Sequence, residues 1–168
     1  MTPDDFMARA VAIAATAKDE PGALPYGAVV VIDGEIVGEG LNRAAAIHDP
    51  TSHGEVEAIR DACKRLGTTD LTGAEMYTTA EPCAMCAAVM LMSGFKKLYY
   101  AYEAAQGKAF IGPLAAKDPS LSRRFSTDEL RVATGQPTDA RPAIPAERLG
   151  VDAADAVFKD FAKAFLAR

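Results

Sequence analysis

Apolar positions along the chain alternate between two spacings, and the changes of spacing mark the elements. Phe6, Ala10, Ile13, Ala14 and Ala17 recur every three or four residues, which predicts a first amphipathic helix capped by Thr2 with Pro3 at its first position. Glu20-Pro21-Gly22 ends it. Pro25-Tyr26-Gly27 then leads into Ala28-Val29-Val30-Val31-Ile32, β-branched enough for a strand, and Asp33-Gly34 reads as a tight turn into a second strand over Glu35 to Gly40. From Thr51 the period is helical again. Thr51 or Ser52 can cap, and Val56, Ile59, Ala62, Cys63 and Leu66 form the expected buried face before Gly67. Ala74 to Thr79 predicts a strand, a helix should open at the Pro82-Cys83 break and stop at Gly94, and Lys97 to Tyr102 predicts another strand. A helix joining two strands with few other residues implies that those strands run parallel.

Beyond Glu103 the pattern is less legible. Gly107, Gly112-Pro113, Pro119, Gly135, Pro137, Pro142 and Pro145 scatter breakers, with a short helix expected from Ser126 or Thr127 through Ala133. The chain closes on Ala154, Val157, Phe158, Phe161, Phe165 and Leu166, an amphipathic helix. Met85, Met90 and Met92 are expected to fill core. One layered α/β domain over 1–168 is the expected organisation.

At 168 residues the chain is long enough for one substantial core, and 49% apolar with 24% charged composition describes a globular protein. A net charge of −5 lacks the basic face that tracking phosphates demands, which argues against nucleic acid as partner; the pair Arg123-Arg124 is the one local reservation. The acidic start Met1 to Asp5 has no basic segment followed by an apolar run, so no secretory signal is expected, and no stretch is long enough to span a bilayer. Three cysteines, two of them wanted as thiolates, suit a reducing compartment, so the cytoplasm is the expected location.

Candidate chemistry sits in Thr51-Ser52-His53-Gly54-Glu55 and Pro82-Cys83-Ala84-Met85-Cys86. His53, Cys83 and Cys86 can give one imidazole and two thiolates to Zn2+, leaving the fourth tetrahedral position to water. Cys83 and Cys86 are one helical turn apart, so both sulfurs face one way. A closed structural site needs a fourth protein ligand. Cys63, at a helical apolar spacing, reads better as a packed thiol, and His48, in a polar loop before Asp49-Pro50, as a solvated or pocket-rim residue. A redox reading of the cysteine pair leaves His53 and Glu55 without a task. Glu55 is free to move protons beside such a metal.

His53-Gly54-Glu55 with Pro82-Cys83-x-x-Cys86 resembles the cytidine and deoxycytidylate deaminase superfamily, the zinc deaminases of bases. The likeness runs from Pro25 to Val30, through Gly40 to Arg43 and Asp49 to Arg60, to Tyr77 through Tyr102. It is nearest to the branch of guanine deaminases, fungal cytosine deaminase and transfer-RNA adenosine deaminases. Gly54, where the family usually has Ala, is similar to fungal cytosine deaminase; Glu81-Pro82-Cys83 is similar to the guanine and transfer-RNA enzymes.

The resemblance implies a three-layer α/β/α fold, a central mixed sheet with helices on both faces. It also implies hydrolytic deamination of a free nucleobase or nucleoside, with water as co-substrate and Glu55 as catalytic residue. Asn42 matches the asparagine that hydrogen-bonds the base, although a turn role is the ordinary reading of Asn; Tyr26 stands where an aromatic lies near the base, with a core position equally open. Gly54, Glu81 and Asp155 complete the candidate substrate residues, and residues 103–168 are expected to complete the pocket, in some relatives that of a neighbouring subunit. Asp152 and Phe158 are weaker candidates. Guanine to xanthine is the leading expectation, on the acidic surface and the Tyr99 to Glu103 likeness; cytosine or cytidine follows on Gly54, then transfer-RNA adenosine. A homodimer is expected from the family's habit. A zinc-stapled dimeric interaction module is the non-enzymatic alternative.

Overall fold

The structure, a computed structural model, describes residues 1–121, 125–136 and 151–166. Helix α1 (Pro3–Ala15) starts as its sequence dictates. Thr2 accepts from the Asp5 N–H, the Asp5 carboxylate accepts from Thr2 in return, and Pro3 occupies the first turn. A 3-10 turn (Thr16–Asp19) carries the chain to β1 (Leu24–Ile32) and β2 (Glu35–Asn42). Asp33 and Gly34 between them both take positive φ, 50° and 79°, the backbone of a hairpin turn that matches strand twist. Both strands run longer than their apolar cores predict. β1 reaches back to include Tyr26, and β2 runs forward to end on Asn42.

α2 (Gly54–Leu66), β3 (Glu75–Ala80), α3 (Ala84–Met92) and β4 (Lys97–Tyr102) follow. The four strands form one mixed sheet in the order β2-β1-β3-β4, with β1 antiparallel to both neighbours and β3 parallel to β4, as the short helical crossover requires. Alternation along β1 divides two apolar clusters. Ala28 and Val30 face Ala58, Ile59 and Ala62 of α2 and Met90 of α3, while Val29 and Val31 face Phe6 and Ala10 of α1. Helices therefore cover both faces of the sheet, the expected three-layer arrangement.

Three sequence expectations change. The N-cap position of α2 falls on His53, whose side chain makes no cap, and not on Thr51 or Ser52; Asp49 holds Thr51 in a turn by accepting from its N–H and its hydroxyl. Leu66, at the last turn of α2, is 46% exposed, and Met92 is 87% exposed where core filling was expected. Residues 104–117 form a helix, α4 (Ala104–Lys117), through Gly107, Gly112 and Pro113, anchored by a capping box between Glu103 and Gln106. α5 (Thr127–Thr134) and α6 (Val151–Leu166) fall where the sequence puts them.

The chain divides into two compact units, 1–131 and 132–168. In the second, Phe161 and Phe165 of α6 stack with ring centroids 6.0 Å apart. Among the described residues no helix is long and apolar enough to cross a membrane.

α2 lies against β2 because β2 has no side chain at the crossing. A Cβ on Gly40 would overlap the Gly54 carbonyl oxygen and the Ala58 nitrogen, both backbone atoms that cannot yield alone. Gly40→Ala is expected to lower unfolding free energy by about 1–3 kcal/mol, read as a lower urea midpoint at unchanged slope.

Candidate functional site

Two helix starts meet at one point. α2 has His53 at its N-cap and α3 has Cys83 at its N-cap, and neither side chain caps its own helix. Both are thus free to face outward from the end where unpaired N–H groups favour negative charge. The loop before α2 is fixed by a main-chain bond from Arg43 N–H to the Ser52 carbonyl, and the loop before α3 by one from Glu81 N–H to the Tyr102 carbonyl. Cys86 follows Cys83 by one turn.

The three ligand atoms form a nearly equilateral triangle. Cys83 Sγ is 3.6 Å from Cys86 Sγ and 3.6 Å from His53 Nδ1, and Cys86 Sγ is 3.5 Å from His53 Nδ1. Metal–sulfur bonds of about 2.3 Å and metal–nitrogen bonds of about 2.0–2.1 Å at the tetrahedral angle give edges of about 3.8 Å and about 3.6 Å. The triangle fits zinc. Among the described residues His53, Cys83 and Cys86 are the one group able to hold a metal ion, with no fourth His, Cys, Asp or Glu joining them. Cys63 packs against the α2 face of the core, half-buried, and His48 is exposed on its loop.

Electrostatics give the same answer. Cys86 is fully buried and Cys83 nearly so. Their contact pulls the Cys83 thiol well below its ordinary range and pushes the Cys86 thiol up, with burial and the Glu55 charge adding to the latter. Two adjacent sulfurs can shed one proton readily and resist shedding the second. A dication between them removes that conflict.

Glu55 is 6% exposed. Burial pushes its carboxyl up, against weaker opposing contributions from its own backbone N–H, from His53 and from Cys86. Val56 packs in one apolar cluster with the cysteine pair.

A cavity of about 550 Å³ reaches His53, Glu55 and Cys83, large enough for a small organic ligand. Tyr26, Asn42 and Glu81 line it too, so the fold brings these sequence candidates together. Asn42 is buried, its Oδ1 accepting the Ala44 N–H at 3.3 Å. Tyr26 meets the ring of Phe110 edge-on at 6.4 Å. Glu81 lines the cavity with its carboxylate already engaged: Oε1 accepts from Arg131 at 2.7 Å and Oε2 from the Ala104 N–H at 2.8 Å. Gly54 has a packing reason to be glycine. A Cβ there would overlap the Tyr26 carbonyl oxygen, so its identity follows from the approach of β1 to α2. The Asp155 side chain lies outside the described residues, as does that of Asp152; Phe158 is 74% exposed.

Sequence reasoning missed Lys108 and Ile111 of α4 and Phe125 to Glu129, all of which line the cavity. Breakers hid α4, and only the capping pair Ser126 and Glu129 signals that a helix begins at the site. A second cavity, about 530 Å³, shares Asn42, His53, Cys83 and Phe125 to Thr127 with the first and opens past Ala44, Ala45 and His48.

A family model described as the cytidine and deoxycytidylate deaminase zinc-binding region matches residues 1–102. The chain belongs to this family. Among curated relatives of this deaminase family, a guanine deaminase of Bacillus subtilis (strain 168) is 42% identical over 103 residues, 61% of this chain and 66% of the relative. A tRNA-specific adenosine deaminase of Agrobacterium fabrum is 40% identical over 97 residues, 58% of this chain and 64% of the relative. The matches thus span just under two thirds of the length of these relatives. A solved guanine deaminase structure from Bacillus subtilis superposes with a TM-score of 0.79 at 30% identity, covering 97% of this chain and 95% of that one. Zinc belongs to the family's defining region, and the donor set in this chain fits it.

Replacing one sulfur leaves two donors and a buried gap. Cys86→Ser is expected to lower bound zinc, measured by elemental analysis after dialysis, from about one per chain to below about 0.2, since a three-ligand site has no spare donor. Retention of stoichiometric zinc would assign the metal elsewhere.

Proposed function

We propose that the protein is a zinc-dependent hydrolytic deaminase of a free nucleobase or nucleoside, with guanine to xanthine as the leading reaction. The observation that carries it is the buried Glu55 carboxylate beside the His53, Cys83 and Cys86 triangle, at the end of a cavity of about 550 Å³. A zinc ion held there supplies the Lewis acidity that lets water attack at neutral pH. Glu55 takes a proton from the attacking water as the new C–O bond forms at the ring carbon bearing the amino group. It returns that proton to the adjacent ring nitrogen. In the second half Glu55 relays the remaining hydroxyl proton to the amine, the C–N bond breaks, ammonia leaves, and the carbon becomes a carbonyl. Asn42 orients the base through its amide, which both donates and accepts in one plane. Tyr26 supplies an apolar wall, and burial of Glu55 keeps bulk water from competing for its proton.

Guanine leads because the guanine deaminase likeness extends over nearly the whole chain and the net charge of −5 disfavours a polyanionic substrate. Transfer-RNA adenosine is the second reading, favoured by the 40% identity to a tRNA-specific enzyme. It predicts retained RNA after purification and activity that falls steeply with salt. Cytosine loses its main support, since Gly54 is explained by the Tyr26 carbonyl. The cytoplasm, where thiols stay reduced, is the compartment that suits the triad.

We also propose a homodimer. Leu91 and Met92 of α3 are 79% and 87% exposed, and Tyr100 and Tyr102 of the sheet-edge strand β4 are 44% and 49% exposed, apolar surface that a second copy would cover. Light scattering is expected to give twice the chain mass, and Leu91→Asp with Met92→Asp to halve it; an unchanged mass would rule this face out.

Ammonia release from guanine, guanosine, cytosine, cytidine, adenine and adenosine by zinc-loaded protein tests the reaction and its substrate together. Guanine is expected to turn over fastest. Glu55→Gln is expected to keep its zinc and lose about 10²–10⁴-fold in kcat; turnover at the unmodified rate would remove Glu55 from the mechanism.

A further inference from the structure

α5 begins at the cavity, with Ser126, Thr127, Asp128 and Glu129 on its lining. Ser126 and Glu129 are occupied with each other: the Glu129 N–H donates to Ser126 Oγ at 3.2 Å and the Ser126 N–H donates to Glu129 Oε2 at 2.7 Å. That capping box starts the helix and does nothing to say where the helix sits. Its seat comes from two other side chains. Leu130 packs against the cluster of Val56, Cys83 and Cys86. Arg131 reaches back across the cavity edge, its Nη2 donating to Glu81 Oε1 at 2.7 Å and to the Pro82 carbonyl at 3.1 Å, and its Nη1 to Asp128 Oδ1 at 3.2 Å.

Glu81 is the hub. Its second oxygen accepts the N–H of Ala104, the first residue of α4 and itself on the cavity lining. One carboxylate therefore joins the starts of α4 and α5 to the turn between β3 and the cysteine helix. We propose that Arg131 is a positioning residue for substrate binding, seating the α5 start over the cavity by bridging Glu81 and the Pro82 carbonyl without itself touching the substrate. The inference rests on the deaminase reading above.

Charge alone does not explain the arrangement. The Arg131 side chain is 38% exposed, and an ion pair that open to water contributes little to stability. Its effect is placement. A planar guanidinium reaches a carboxylate, a carbonyl and Asp128 at fixed angles, which the point charge of a lysine cannot reproduce. Arg131 lines neither cavity, while the residues it seats line the one that holds the base. A loose α5 should therefore weaken substrate binding and leave the chemistry at Glu55 alone.

Arg131→Met, Arg131→Lys, Glu81→Gln and the double variant Glu81→Gln with Arg131→Met, all full-length and zinc-loaded, test this with guanine as substrate. Arg131→Met is expected to raise KM about five- to tenfold, the scale of one ordinary net hydrogen bond, with kcat within about twofold and zinc content unchanged. Arg131→Lys should resemble Arg131→Met, and the double variant should be no worse than the worse single one. Amide exchange over residues 125–131 should quicken in Arg131→Met while α2 stays protected. An unchanged KM, full rescue by lysine, or loss of zinc along with kcat would overturn the positioning role. If the unmodified protein deaminates nothing, the reading of the function fails, and the exchange measurement still decides: unaltered protection over 125–131 would show that Arg131 does not seat α5.

Discussion

Three soft or borderline donors stand 3.5–3.6 Å apart, the spacing of three corners of a metal's coordination tetrahedron. Two thiolates and an imidazole at that spacing repel one another's charge and strand lone pairs away from water, which costs several kcal/mol unless a cation accepts them. The rest of the unit 1–131 is arranged to impose this spacing. Neither α2 nor α3 uses its N-cap side chain for its own backbone, so both helices give up a stabilising cap and turn their first residues toward a shared point. The sheet sets the distance between the two helix starts, because the segment from Asn42 to His53 leaves the end of β2 and the turn into Cys83 leaves the end of β3, with β1 between them.

Close backbone approach makes the site tight. Gly40 lets α2 lie directly on β2, and Gly54 lets the first turn of α2 slide under the Tyr26 carbonyl. The same contacts bury Glu55 and Asn42, 6% and 2% exposed, at the inner end of the cavity. The carboxylate and the amide that we propose carry the proton and orient the base thus acquire their positions from the packing of glycines one and two residues away. Around them, α4 and the start of α5 complete the cavity wall, held together through the two oxygens of Glu81.

Much of this was legible because it depends on local chemistry. Thr2 and Pro3 announce α1, Asp33-Gly34 announces the hairpin turn, and the three-residue spacing of Cys83 and Cys86 places both sulfurs on one side of a helix start. Other parts are not written locally. Gly107, Gly112 and Pro113 argue against a helix that exists all the same, since the Glu103 and Gln106 caps and the contact with β4 outweigh them. Leu66 and Met92 fit a buried period and emerge exposed, because periodicity does not say where the neighbouring layer ends. Motif likeness makes Glu81 a substrate candidate; its contacts with Ala104 and Arg131 span 23 and 50 residues, and no local pattern encodes them.

The coordination sphere is the central claim, and X-ray absorption at the zinc edge reads it most directly. The account predicts two sulfur scatterers near 2.3 Å and one nitrogen scatterer near 2.0 Å, with a fourth light-atom ligand that exchanges when a small anion or substrate analogue is added. A fourth protein donor that no added ligand displaces, or fewer than two sulfurs, would contradict it.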